Sequence, residues 1–424
     1  MIKKSIEDYL LIHDLGTTGA KAILFDEEGK VVASTYRTYK TYSERADWAE
    51  QNPRDWWNAI CETTKKVIKM AKIQPSSVNA VTIIGQQMGV IPVNKEGEAV
   101  DEKCMIWCDA RAISQARDIL SKVGGFEKFY KIHGLGHAPE MLPLCKIVWL
   151  KENKPEIYQK AYKIMQCKDY INAKLTEGEV FVTEYGDASN TGLLDITNRR
   201  YAEELLETAE IDLEKLPEIR RTGEIIGEIS RKAAEEIGLK TGTPIVLGTG
   251  DVPAAALGAG IYQERQTYCY LGSANWNGVY SVTPSLNPKI RMINQCHPCG
   301  GYIVYAYTTT GGVCQDWLKN VLFDVEARSD KHSATTVYDL MIKYSKEVFP
   351  GSNGLIFLPY LRGGGAPHWK TNIRAAYIGI SITHSKKEFV KSLLEGVALN
   401  FRWIMEQTSL LGYDVFGWEA IKAI

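Results

Sequence analysis

The stretch Tyr9-Leu10-Leu11-Ile12-His13-Asp14-Leu15-Gly16-Thr17-Thr18-Gly19-Ala20-Lys21-Ala22-Ile23-Leu24-Phe25-Asp26-Glu27-Glu28-Gly29-Lys30-Val31-Val32 constrains this chain most. Its pattern predicts a strand, a tight polar turn, a second strand, a Glu-Gly turn and a third strand. The first apolar run ends at Asp14. Gly16 and Gly19 let the backbone turn sharply, and Thr17 and Thr18 put hydroxyls beside exposed N–H groups, so the hairpin tip can hold phosphate oxygens. A carboxylate at the strand end, Asp14, can hold Mg2+ through water, since that ion keeps most of its waters. A plain hairpin with a Gly-rich turn would read the same, and the rest of the chain has to decide.

With 424 residues the chain is too long for one core and predicts two domains or three. A 45% hydrophobic and 24% charged composition is that of an ordinary soluble globular protein. The net charge of −1 gives no basic excess to favour nucleic acid, so an anionic ligand would need a local site. No stretch is long and apolar enough to span a membrane. Met1-Ile2-Lys3-Lys4-Ser5 carries two lysines, but Glu7, Asp8 and a strand follow without a signal-type apolar core, which points to the cytoplasm. Nine cysteines are scattered along the chain. Cys296-His297-Pro298-Cys299 is the one tight pair with a metal-like look; with no second pair at ribbon spacing, reduced and mostly buried thiols are the better reading.

Further along, Trp48-Ala49-Glu50-Gln51-Asn52-Pro53 leads into a helix to about Ile73, with Trp57, Ile60, Thr64 and Val67 at helical spacing. Val78 to Ile84 is an apolar strand ending in Gly85-Gln86-Gln87-Met88-Gly89. Amides there can reach a polar ligand such as a polyol, or simply satisfy a loop. Ile106-Trp107-Cys108-Asp109-Ala110-Arg111 precedes a helix to about Leu120, with Asp109 placed as its N-cap or, with Arg111, facing a ligand. Met141 to Asn153 predicts an amphipathic helix starting near Pro143, with Leu144, Ile147, Val148 and Trp149 on its apolar side. A second helix is expected from Pro155 to Met165. Thr183 to Gly192 reads as a long polar loop, a common carrier of ligand contacts.

Gly223 to Gly248 reads as a linker, a helix from Arg231 to Ile237, a turn and a strand, Ile245 to Leu247. The strand ends at Gly248-Thr249-Gly250-Asp251, ahead of a small-residue helix. A carboxylate at that junction suits a general base that accepts a hydroxyl proton, or a helix N-cap. Thr267 to Leu271 is a strand ending at Gly272-Ser273-Ala274, an echo of the opening hairpin. Strand Tyr302 to Tyr307 ends in Thr308-Thr309-Thr310-Gly311-Gly312 before a helix carrying Gln315 and Trp317, a credible phosphate or nucleotide seat. A strand from Ala376 to Gly379 precedes a helix from Lys386 to about Leu410, and Gly396 inside that helix suggests close packing.

Paired hairpins with Gly-hydroxyl turns describe an α/β fold of the two-domain actin/hexokinase/Hsp70-like (ribonuclease H-like) ATPase architecture. The detailed motifs resemble the FGGY family of carbohydrate kinases from about residue 9 to the end. The most specific match is Met141 to Asn153, with its Pro, Lys146, Trp149 and the Glu152-Asn153 pair. Asp14 to Lys21, Trp48 to Gln51, Trp107 to Arg111 and Gly250-Asp251 also match, and Ala375 to Glu395 fits less fully, with Leu393 where a smaller or β-branched residue is usual. Within the family the pattern is most similar to xylulokinases, then gluconokinases and glycerol kinases.

The resemblance implies a sugar- and phosphate-binding domain over 1–255 and a nucleotide-binding domain over 256–424. It implies phosphoryl transfer from MgATP to a sugar hydroxyl, most simply on a ketopentose such as D-xylulose, with gluconate, ribulose or glycerol as alternatives, and a possible homodimer as the family's habit. By that resemblance Asp251 is the base, Asp14 positions Mg2+, and Thr17, Thr18 and Lys21 hold the transferring phosphates. Ser273, Gly311 and Gln315 fall on the nucleotide side, and Gln87 and Met88 where family members contact sugar. Xylulokinases usually carry Met-His there, and Arg362-Gly363-Gly364-Gly365 departs from the usual Gly-Glu-Arg-Thr/Ser-Pro run. Family members continue past the last helix into a strand and a Gly-rich turn that cups adenosine; Trp418 to Ile424 reads like the run into that strand. The expectation is then either a shortened product with weakened ATP binding, down to a sugar-binding remnant, or a partner that completes the fold. An actin- or Hsp70-like ATPase without a sugar substrate is the reading from another class.

Overall fold

The computed structural model describes residues 8–324, 336–370, 372–415 and 421–423. The N-terminal Met1–Ser5 and the run Trp418–Ala420, both used above, lie outside them. The chain divides into two compact units. One comprises Met1–Leu135, Pro139–Gly258 and Gln295–Tyr302, the other Gly136–Ala138, Ala259–Asn294 and Ile303–Ile424.

The first unit is built on a six-stranded sheet. Its strands are β1 (Tyr9–Leu15), β2 (Gly19–Asp26), β3 (Val31–Thr38), β4 (Val78–Gly85), β5 (Ile225–Glu228) and β6 (Pro244–Val246), in the spatial order β5-β6-β4-β1-β2-β3. β1, β2 and β3 form the antiparallel meander that the opening stretch predicts, while β4 runs parallel to both β1 and β6. In β1 the alternate residues Tyr9, Leu11, His13 and Leu15 are buried, the period of a strand packed on one face. Helix α1 (Pro53–Ala71) covers β2 and β3. Asn52 caps it through Arg54 N, Pro53 opens it with its preset φ, and Trp56, Trp57, Ile60, Thr64 and Val67 turn inward. Each fully buried large side chain of this core, Leu11 or Trp56 for example, contributes about 1.5–3 kcal/mol of transfer free energy.

Further helices of this unit are α2 (Pro143–Asn153), α3 (Cys167–Leu175), α4 (Tyr185–Ser189), α5 (Arg231–Ile237) and α6 (Asp251–Gly258). Several expectations are corrected here. The buried side of α2 is Leu144, Cys145, Lys146, Ile147 and Leu150, whereas Val148 and Trp149 are only half-buried. The helix after Pro155 stops at Lys160, and Lys163–Met165 is a strand paired with Ile91–Val93. Thr183–Gly192 is no open loop: a strand, Val182–Glu184, runs into α4, and Asp187, Ser189 and Asn190 are buried. The stretch after Gly223 holds β5, so it is not merely a linker. Asp109 caps no helix. The next one, Ile113–Val123, starts beyond Ala112, while the Asp109 carboxylate accepts from Ala49 N at 2.7 Å and from Arg111 Nε at 2.9 and 3.0 Å in a buried pair.

A five-stranded sheet, most of whose residues belong to the second unit, consists of β7 (Thr267–Leu271), β8 (Asn275–Ser281), β9 (Ile293–Cys296), β10 (Tyr302–Thr308) and β13 (Ile421–Ala423), in the order β9-β10-β8-β7-β13. β13 joins the sheet edge parallel to β7. β11 (Ile356–Leu358) and β12 (Ala376–Ile378) form a separate antiparallel pair. Helices α7 (Val313–Leu322), α8 (Val337–Lys346) and α9 (Lys386–Ser409) pack around a core of Cys314, Leu318, Phe323, Met341, Phe357, Val390 and Leu393. Gly396 does mark close packing: a Cβ there would stand 2.2 Å from the carbonyl oxygen of Phe357.

Candidate active site

The candidate residues of the first unit gather where β1, β4 and β6 end. Gly85, closing β4, forms a parallel bridge with Gly250, and Leu15 O accepts from Gln86 N at 2.9 Å. Three strand ends thus bring Asp14, the Gln86–Gly89 segment and Asp251 to one edge of the sheet. Asp14 stands opposite Lys21 in the β1–β2 register. Burial raises the pKa of Asp14 above the ordinary carboxylate value, and Lys21 opposes that rise. Asp251 is the first residue of α6, and its Oδ1 accepts from Val252 N at 2.9 Å. Its pKa is pushed up to about 7, first by burial and then by the negative charge of Asp14, with Asp187 adding to it. Asp251 is nonetheless an exposed residue, so it is the protein crowded around the carboxyl, rather than enclosure, that raises it. A carboxyl that is open to solvent and titrates near neutrality can take up a proton during turnover.

At the hairpin tip, Gly16 N donates to Gly19 O. Thr17 Oγ1 accepts from Trp107 Nε1 at 2.9 Å, which leaves its own hydroxyl hydrogen to donate elsewhere. Thr18, exposed, shares a 2.8 Å hydrogen bond with Tyr36 OH, and Lys21 is exposed. Gln51 braces the tip through Nε2 to Thr17 O at 2.6 Å.

Gln87 and Met88 are buried, at 4% and 3% exposure, which bears on how they could meet a ligand. Gln87 Nε2 donates to Asp187 Oδ1 at 2.8 Å, and its Oε1 accepts from Asn190 Nδ2 at 3.4 Å. Met88 has a left-handed backbone, φ 57°, held by Gln166 Oε1 on its N–H and Lys146 Nζ on its carbonyl. Lys146 is wholly buried, donates also to Ile106 O at 2.7 Å, and has its pKa lowered to about 8 by burial.

Beneath this edge lies an ionic cluster that the sequence reading did not single out. Lys168 Nζ is 2.5 Å from Asp169 Oδ1 and 3.0 Å from Asp187 Oδ2, all at zero side-chain exposure. Burial works against the charge on Lys168, but Asp169, Asp187 and Glu184 outweigh it and hold its pKa up. Burial raises the carboxyls of Asp169 and Glu184 above their ordinary values, against the pull of Lys168. The available signal was an adjacent Lys-Asp pair inside a helix most of whose other positions, Cys167, Tyr170, Ile171, Ala173 and Leu175, are apolar.

In the second unit, Ser273, in the β7–β8 turn, and Gly311, before α7, are brought together. Ser273 O accepts from Gly311 N at 2.7 Å, and Gly272 O from Gly312 N at 2.8 Å. A Cβ on Gly311 would lie 2.3 Å from Asn275 Oδ1, so glycine is needed for the turn to close on the helix start. Ser273 is exposed, and Gln315 is half-buried on the first turn of α7.

Comparison with known proteins places these features in a lineage. The model for the N-terminal domain of the FGGY family of carbohydrate kinases matches residues 9–258, and that for the C-terminal domain matches 274–415. This chain belongs to the FGGY family of carbohydrate kinases. Similar proteins include the gluconokinase of Bacillus subtilis, 29% identical over 92% of this FGGY kinase and 75% of that protein. The xylulose kinase of Lactococcus lactis is 30% identical over 94% of this chain and 77% of its own length. Among solved structures, a ligand-bound xylulose kinase from Lactobacillus acidophilus superposes with a TM-score of 0.84 at 27% identity, covering 98% of this FGGY kinase and 81% of that chain. The fold is therefore the two-domain kinase fold that the hairpins and strand-end motifs predict, and the protein is a sugar kinase that uses ATP as its phosphoryl donor. No helix among the described residues is long and apolar enough to cross a membrane.

Proposed function

We propose that this FGGY kinase phosphorylates a hydroxyl of a ketopentose such as D-xylulose, with Asp251 as the general base. The supporting observation is the Asp14–Asp251 relationship: two carboxylates at the same end of the sheet, one on β1 and one after β6 with β4 between those strands, both raised, with Asp251 brought to about 7. Asp251 takes the proton from the attacking hydroxyl as phosphoryl transfer proceeds. Thr17, Thr18, Lys21 and the turn N–H groups receive the transferring phosphate. Ser273, Gly311 and Gln315 serve the nucleotide side. Gluconate and glycerol are competing acceptors, since relatives named gluconokinase, xylulose kinase and glycerol kinase all align at similar identity, and ribulose, another ketopentose, is a third.

Asp14 is a hard-oxygen donor that suits Mg2+, an ion that takes one or two carboxylates and completes its shell with water and phosphate oxygens. Bound there, Mg2+ offsets phosphate charge.

The test is ADP formation from MgATP with D-xylulose, L-xylulose, D-ribulose, L-ribulose, gluconate and glycerol in turn. A ketopentose giving the highest kcat/KM supports the proposal; preference for gluconate or glycerol overturns its substrate assignment. Calorimetry with each sugar alone distinguishes a chain that binds sugar without turnover.

A further inference from the structure

This inference rests on the kinase reading above. We propose that Glu184 is a positioning residue for Asp251, its carboxylate seating the strand end that carries the base. Glu184 is 1% exposed and precedes α4. It accepts four hydrogen bonds: from Gly186 N at 2.6 Å, Asp187 N at 2.7 Å, Thr222 Oγ1 at 3.0 Å and Thr249 Oγ1 at 3.1 Å. The last donor lies two residues before Asp251. Gly250 between them lies against the Gln87 amide, which Asp187 in turn holds at 2.8 Å. The segment Thr249–Asp251 is therefore tied twice to the start of α4, once through Glu184 and once through Gln87 and Asp187. Lys168 anchors that start through Asp187.

Helix capping alone does not account for Glu184. A cap needs only the two N–H bonds, and Ser, Thr, Asn or Asp is the usual residue for it. Burying a glutamate carboxylate costs far more than burying a hydroxyl, and the return here is the two extra threonine donors. One of them leads to Asp251 and the other does not. General-base catalysis needs the base within hydrogen-bond reach of its proton, so a small displacement of Asp251 is felt in kcat.

The two threonines provide the experiment. Thr249→Val and Thr222→Val each remove one hydroxyl from the same carboxylate, each leaving the oxygen concerned one N–H donor. Thr249→Val is expected to lower kcat by about tenfold or more with the KM for sugar and ATP unchanged. Thr222→Val is expected to leave kcat unchanged, and Thr249→Ser to restore it. Equal losses in the two valine variants, or a Thr249→Val defect carried by KM, would overturn the proposal. Should the wild-type chain show no sugar-dependent turnover, it is the kinase reading that fails. Deuterium exchange of the 248–256 peptide then decides the positioning claim by itself. Faster exchange in Thr249→Val than in Thr222→Val upholds it, and equal exchange overturns it.

Discussion

Gln87 lies directly against the α-carbon of Gly250: a Cβ added there would stand 2.2 Å from the Gln87 amide. The amide is not free to withdraw, because its nitrogen is bonded to Asp187 and its oxygen to Asn190. The peptide next to Asp251 is thus clamped between a strand bridge on one side and a buried amide on the other. Gly250→Ala is expected to destabilise the protein by about 1–3 kcal/mol through overpacking and to lower kcat by shifting Asp251. Urea unfolding and ADP release measured on the same variant check both effects.

Asp251 titrates near 7 in the folded chain against 3.8 ordinarily, so the fold favours its protonated form. As pH rises from about 4 to about 7, the unfolded chain gives up this proton before the folded one, and the wild type loses stability relative to Asp251→Asn. The variant should therefore be the more stable protein at pH 8, with the gap closing as pH falls toward 4. Urea midpoints at pH 4.5, 6 and 8 in both proteins measure it.

His13 is the opposite case. Burial lowers its pKa to about 3, and its Nε2 lies 3.0 Å from Thr64 Oγ1. Below the ordinary value of 6.5 the unfolded chain takes up the proton first, so stability falls as pH drops from 6.5 toward 3. The slope from this residue reaches about 1.4 kcal/mol per pH unit. His13→Gln should flatten that part of the stability curve.

Lys146 satisfies two buried carbonyls, those of Met88 and Ile106. Lys146→Met leaves both without their donor and is expected to cost about 1–3 kcal/mol per carbonyl. Above pH 8 the folded lysine becomes neutral while the unfolded one, titrating near 10.5, stays charged, so the wild type gains further on the variant between these values. Denaturation at pH 7 and pH 9.5 reads both effects.

The scaffold was legible in the sequence where local patterning governs it. The β1–β2–β3 meander follows from period-two burial and turn glycines, and α5 and β7 lie where Arg231–Ile237 and Thr267–Leu271 placed them. Asp14 and Asp251 were legible as carboxylates at strand ends. What was not legible depends on contacts between residues far apart in sequence. Glu184 meets Thr249 across 65 positions and Gln87 meets Asp187 across 100, so a run of buried polar residues read as a polar loop. Lys146 stood out only as a motif residue, and its burial was hidden because a lysine inside a helix normally marks the solvent side, whereas here it is buried and donates to two carbonyls. Asp109 looked like a cap because caps are recognised by position, and its partner Arg111 offered a stronger bond than a helix N–H.

The most direct test is the pH dependence of sugar-stimulated ADP formation from MgATP in the wild type and in Asp251→Asn, with folding of the variant verified by circular dichroism. The account expects a wild-type rate that rises with pH through about 7, where Asp251 becomes the free base, and a loss of about a hundredfold or more in the variant. Turnover in Asp251→Asn equal to that of the wild type, at any pH, would contradict it.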